Sequence, residues 1–277
     1  MRNINYVLLQ ALLVVSVIVL LLPVIWVVII SFYSKDIIRQ IFSEILRGNF
    51  HLESLTLGNY IYILSDPNFL RWILNSAIVA GSVAFVSTFI GFMAGYGISR
   101  YNFPGKRPFL ISLLTTQLFP IAMMIVPFLV IASILGIIGT LHGLSLAYLA
   151  TTLPFSIWIL KGFFDTVPQD MEEAAEVDGA NLLQLISYVL IPISRPALAT
   201  SFIFSFVTCW NEYAIAFIFL SDVALYTLPP GIRSMLQNND LPGFSAAVVL
   251  VSIPVVILFM YIRKELVESV TLGAVKE

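Results

Sequence analysis

Apolar residues run through this chain in long unbroken stretches, and the charged residues collect between them. From Asn3 to Ser34 no side chain is charged. About 20 apolar residues cross the hydrocarbon core of a bilayer, so a first span is predicted at 7–31. It is too long for the apolar region of a signal peptide and is expected to remain as an anchor. The interval between Arg71 and Arg100 predicts a second span at 72–99. Between Arg107 and Lys161 the sole residue that could carry charge at neutral pH is His142, and the glycines of GIIGTLHG at 136–143 divide the stretch. Spans at 108–135 and 143–160, joined by a tight turn, follow. Two further stretches predict spans at 196–221, which holds one charge, Glu212, and at 241–262, which holds none.

These runs are apolar on every side, whereas barrel strands alternate apolar and polar residues, so an all-α integral membrane protein with about six transmembrane helices is expected. Prolines 23, 120, 127, 154 and 254 fall inside the spans, where kinks release carbonyls that neighbours must satisfy. Composition agrees. Of 277 residues, 59% are hydrophobic and 11% charged, too few charges to cover a soluble domain of that size. A net charge of −2 offers no basic stripe for nucleic acid. A single cysteine, Cys209, allows no internal disulfide.

Orientation reduces to comparing the cations of alternate loops. One side holds Arg2, Arg100, Lys106, Arg107, Lys161, Arg195, Arg263, Lys264 and Lys276; the other holds Lys35, Arg39, Arg47, Arg71 and Arg233. Nine against five predicts that the first side, with both termini and the 161–195 loop, is cytoplasmic. The outer segment 35–71 is then the longest outside.

The 161–195 loop contains EEAAEVDGA at 172–180, four acids among small residues. Pro168 suits a first helical turn, the acids complement the positive end of that helix, and Gly179 permits the turn that ends it. A second short helix at 181–190 is expected to stop at Pro192 and lie along the membrane surface. A helix, a glycine bend and another helix can form a docking lever or a solvated connector.

The series Glu173, Ala174, Ala175, Asp178, Gly179 and Ala180, followed by Ile191 and Pro192, resembles the EAA loop of permease subunits of binding-protein-dependent ABC importers. TLGNY at 56–60, ILNSAIVA at 73–80, AGYGISRYNFPGKR at 94–107, WNEYAIAFIFL at 210–220 and the ending TLGAVKE are similar to the maltose-type sugar permeases, the G-like partner. Departures are Ile186, Arg263 and Glu277. The resemblance implies an alternating-access pathway for a sugar, an oligosaccharide, in the cytoplasmic membrane of a prokaryote. It implies a second, F-like permease subunit, two ATPase subunits holding ATP and Mg, and an extracytoplasmic sugar-binding protein. The EAA helix would enter a cleft on the ATPase, and Thr271, Gly273 and Ala274 of the tail would reach the ATPase dimer.

No cofactor is expected on the chain itself, because the sequence lacks G-x-x-x-x-G-K-[ST]; Gly105-Lys106 has no upstream glycine at the required spacing. Two other classes are open to the sequence. His142 and Ser145 share a helix face, as an intramembrane serine hydrolase would require. A stand-alone ion-coupled carrier would want several midplane ionisable groups, and Glu212 is the one that qualifies. With Trp210 and Asn211, Glu212 is a candidate for the translocation path, or for packing against a neighbouring helix.

Overall fold

The computed structural model describes residues 2–34, 55–236 and 240–274, with side chains for 9–34, 55–236 and 240–264. Eleven α-helices and a short 3-10 turn at Val223–Leu225 carry the described chain: α1 Arg2–Ser31, α2 Gly58–Ser65, α3 Pro67–Arg100, α4 Lys106–Thr116, α5 Ile121–Ile134, α6 Leu141–Phe164, α7 Asp170–Val177, α8 Leu182–Asn211, α9 Ala214–Phe219, α10 Leu228–Leu236 and α11 Leu241–Ala274. Five of the described helices are long and apolar enough to cross a membrane, and α4 with α5 makes a sixth if the bent pair is one span. The residues group into two compact units, Met1–Leu70 with Gly231–Ile253, and Arg71–Pro230 with Pro254–Glu277.

In the first unit the TLGNY stretch closes the end of α1. The Asn59 amide donates to the carbonyls of Ser31 and Tyr33, both at 2.8 Å, and Tyr60 shares a hydrogen bond with Ser31. A terminal turn whose carbonyls would be orphaned is thereby satisfied. Of the segment 35–71, expected on the outer side, residues 35–54 lie outside the described residues.

In the second unit α3, α6 and α8 pack through small residues. A Cβ added to Gly95 of α3 would stand 2.7 Å from the backbone nitrogen of Lys161, and one on Gly91 would stand 3.0 Å from Ser156. Gly91 and Gly95 form a G-x-x-x-G, the spacing that lets two membrane helices touch backbone to backbone. Beside it Ser87 of α3, Ser156 of α6 and Ser205 of α8 join hydroxyl to hydroxyl at 2.8 and 3.1 Å, and Thr88 reaches Ser201. Buried hydroxyls in an apolar seam need such partners.

Two expected spans are interrupted. The stretch 108–135 folds as α4 and α5, bent by 104°. Pro120 disfavours the helical conformation at Phe119 and supplies no amide hydrogen, so the first helix stops and a second begins beyond it. The stretch 196–221 is divided at Glu212–Tyr213. Conversely, the short surface helix expected at 181–190 does not stop at Pro192. It passes through a π-helical turn, Leu185–Leu190, into the rest of α8. One wider turn accommodates the amide hydrogen that Pro192 lacks, and the Ser194 hydroxyl donates to the Leu190 carbonyl at 2.6 Å.

Candidate functional site

The acidic stretch becomes α7 and an elbow. Asp170, Glu172 and Glu173 occupy the first turn of α7, where the helix dipole favours them. At the other end Gly179 takes φ +82°. The amides of Gly179 and Ala180 donate to the carbonyls of Glu176 and Ala175, the Schellman closure that a glycine in the left-handed region permits. Asn181 then opens α8 with a capping box. Its side chain accepts from the Gln184 amide at 3.0 Å while Gln184 accepts from the Asn181 amide at 2.9 Å. The bend between α7 and α8 is therefore fixed by backbone and capping bonds over a few residues.

The acids do not share one environment. Glu172 is 8% exposed. Its carboxylate accepts from Nε of Arg100 at 2.6 Å and from the Tyr96 hydroxyl at 2.8 Å. Arg100, the last residue of α3, also donates to the carbonyls of Phe164 at 2.9 Å and Val167 at 3.1 Å. One planar guanidinium thus binds the end of α6, the linker and α7, which a lysine could not do in three fixed directions. Leaving either member of such a buried pair unpartnered costs about 3–5 kcal/mol. Alongside, Asp165 accepts from Ser99 at 2.8 Å and pairs with Lys161. Burial pushes the Asp165 carboxyl up, but the bonds from Lys161 and Ser99 outweigh it and hold its pKa below the ordinary carboxylate value.

The inner face of α7 rests on the chain's own core. Ala175 packs against Phe92, Leu160, Phe164, Leu185, Leu190 and Ala197, with Ile186 beside it. The outer face is open: Glu173, Ala174, Glu176 and Asp178 are exposed, and Val177 is 88% exposed. Across the elbow Leu183 and Tyr188 are each 77% exposed. Ala180 is half-buried, Ile191 is exposed, and Pro192 stands within α8.

At the other end of α8, Trp210 is buried and stacks on Phe206 at 5.2 Å, and Asn211 is exposed. Glu212 caps α9, accepting from the amides of Ile215 at 2.8 Å and Ala216 at 3.0 Å, and takes a third bond from the Tyr148 hydroxyl at 2.7 Å. The carboxylate is engaged by α6 and α9, and the expected midspan charge is a helix cap at a break. The stretch ILNSAIVA also has a local role. The amide of Asn75 donates to the carbonyls of Ala224 and Tyr226, both at 3.0 Å, Ser76 accepts from the Leu228 amide, and Trp72 donates to Val223. Thr271, Gly273 and Ala274 lie within α11, and their side chains are outside the described residues. The Ser145 hydroxyl donates to the Leu141 carbonyl and not to His142, which is no arrangement for a nucleophile and its base.

Sequence reasoning missed Arg100 as a partner of Glu172, because the two are distant in sequence and Glu172 looks like its neighbours. It also passed over the G-x-x-x-G at 91–95, a pattern that was available.

Residues 87–271 match the family described as the binding-protein-dependent transport system inner membrane component. The trehalose/maltose transport system permease protein MalG of Thermococcus litoralis is 32% identical over 94% of this chain and 92% of its own length. The maltose/maltodextrin transport system permease protein MalG of Salmonella typhimurium is 36% identical over 75% of this chain and 72% of its own. Among solved structures, a bacterial ABC transporter involved in the import of the acidic polysaccharide alginate has a chain that superposes with a TM-score of 0.75, at 22% identity, over 95% of this chain and 96% of that one. That likeness speaks for the fold. Neither a serine hydrolase nor a self-sufficient carrier fits such relatives. The chain is a multi-pass transport subunit that works with ATP hydrolysis carried out elsewhere, and it belongs to the family of binding-protein-dependent transport system inner membrane components.

Proposed function

We propose that the chain forms part of the translocation pathway of an ATP-driven sugar importer, with an oligosaccharide as substrate, in the cytoplasmic membrane of a prokaryote. The sugar class rests on relatives whose names specify trehalose, maltose and maltodextrin transport. In this reading both termini and the 161–195 loop are cytoplasmic, a second permease subunit completes the pathway, and an extracytoplasmic binding protein delivers the sugar. Two separate ATPase subunits hold ATP and Mg.

The observation that carries the reading is the division of α7 into two faces. Ala175 and Glu172 are used within the chain, while Glu173, Ala174 and Val177 are left outward beside exposed Leu183 and Tyr188. Val177, 88% exposed among the exposed acids of α7, is an apolar side chain held outward on a polar helix, as an interaction surface requires. Small residues admit the helix into a groove, Glu173 and Asp178 meet basic groups there, and the elbow of Gly179 and Ala180, with Ile191 and Pro192 beyond it, passes the movement into α8. Thr271, Gly273 and Ala274 are assigned to a second contact with the ATPases. At the far end of α8 exposed Asn211 faces the sugar path, with Trp210 stacked on Phe206 and Glu212 capping α9 beside it.

The test is the ATPase that co-purifies with the chain. Glu173→Lys with Val177→Asp should abolish co-purification at an unchanged membrane level of the subunit. ATPase retained at full stoichiometry by that double variant would refute the docking face.

A further inference from the structure

We propose that Arg100 is a positioning strut that makes α3 move with α7, so that a displacement imposed on the docking helix reaches α3 directly as well as through its covalent neighbours. The inference rests on the reading of α7 as the ATPase docking helix.

By chain connectivity α7 is attached to α6 through residues 165–169 and to α8 through the elbow. No such link leads to α3, whose last residue is separated from α7 by the whole of α4, α5 and α6. Yet the guanidinium of Arg100 binds the Phe164 carbonyl at the end of α6, the Val167 carbonyl in the linker, and the Glu172 carboxylate in the first turn of α7. Tyr96, one turn back on α3, donates to the other oxygen of the same carboxylate. The side chains of Arg100 and Glu172 are 9% and 10% exposed, so water does not readily replace a broken bond. Four donated bonds in three directions give a joint that either holds or rearranges as a whole. Nothing in docking requires it, because the outward face of α7 is formed by other residues. Ser99 and Lys161, through Asp165, brace the same junction from the side.

The experiment uses the complete transporter, with its own ATPases and second permease subunit, in a Cys209→Ser background. Spin labels are placed at Met93→Cys on α3 and Asp170→Cys on α7, both exposed and neither on the outward face given to docking. Distances are measured by double electron–electron resonance without nucleotide and with ATP plus vanadate. In the unaltered junction the distance should be the same in both states. In Arg100→Met it should match the unaltered value without nucleotide and shift by about 2 Å or more with ATP plus vanadate, the scale of a helix displacement. Glu172→Gln should fall between, and the double variant should be no worse than Arg100→Met.

The strut is refuted if Arg100→Met behaves as the unaltered junction, or if the distance in the unaltered junction itself responds to nucleotide. A shift already present without nucleotide in Arg100→Met refutes it too, since Arg100 then only folds the loop. Should Arg100→Met fail to accumulate, Arg100→Lys and Glu172→Gln decide, and unaltered behaviour in both overturns the proposal. Retention of ATPase by the Glu173→Lys, Val177→Asp variant is a separate outcome: it removes the docking reading on which the strut rests.

Discussion

Replacing Gly95 by alanine adds one methyl group at the tightest point between α3 and α6. That methyl carbon would lie 2.7 Å from the Lys161 nitrogen, 3.1 Å from the Leu160 carbonyl carbon and 3.2 Å from the Leu160 Cβ. The first two are backbone atoms and cannot rotate away. Ordinary contact begins near 3.4 Å, so the helices must part by about 0.7 Å locally. The 2.8 Å bond between Ser87 and Ser156 lies along the same seam and would stretch with them. Overpacking of this kind costs about 1–3 kcal/mol, and a strained interhelical hydrogen bond in a membrane protein adds about 0.6 kcal/mol. Gly97, two residues on, has nothing within 4 Å of its added Cβ. There alanine should be neutral or stabilise by up to about 1 kcal/mol through helix propensity. Gly95→Ala should therefore be less stable than Gly97→Ala, a difference that equilibrium unfolding of the solubilised subunit in mixed micelles can resolve. If Gly95→Ala proves as stable as Gly97→Ala, the close backbone approach of α3 and α6 is refuted.

Three other outcomes are expected. Glu212→Gln and Tyr148→Phe should each lower unfolding stability by about 1–3 kcal/mol, and the double variant should fall short of their sum, because both remove one bond at the α9 cap; strict additivity in a double-mutant cycle would contradict this. The Asp165 carboxyl, with its pKa lowered in the folded chain, should stabilise the junction above the ordinary carboxylate pKa and lose that contribution as pH falls through the lowered value. Lys161→Met should reduce this acid dependence, measured as protection of the 165–169 amides against hydrogen exchange. If both termini are cytoplasmic, as proposed above, a cysteine at Ser65 should react with an impermeant maleimide added to intact cells and one at Gln184 should not; the reverse pattern would invert the orientation.

The apolar stretches were legible because a bilayer imposes a length and a charge-free composition on any helix that crosses it. Breaks in those stretches were less so. Pro120 ends a helix and Pro154 sits inside one, and the sequence around each does not say which will happen. Pro192 was expected to stop a helix, but a π-turn absorbs it. The elbow at Gly179 was read correctly in kind, since a glycine after an acidic helical turn has local chemistry that spacing reveals. Glu172 was not separable from Glu173 by any local signal. What distinguishes them is Arg100, brought there by the packing of α3 on α6, and such long-range pairing is invisible in a single sequence. Glu212 was found as a residue but not as a cap, because its partner Tyr148 is likewise remote in the chain.

The elbow and the Arg100 junction also differ in when they can form. Every bond of the elbow closes between Ala175 and Gln184, so it can be complete as soon as that segment has been synthesised. Arg100 emerges long before Glu172 exists. Until then it is an unpaired cation at the end of an apolar helix and, in the orientation proposed above, one of the three cations of 100–107 that favour keeping that end on the cytoplasmic side during insertion. In that orientation the same side chain would help direct α3 while the chain is being made, and once α7 arrives the charge is buried as the helix's fastening.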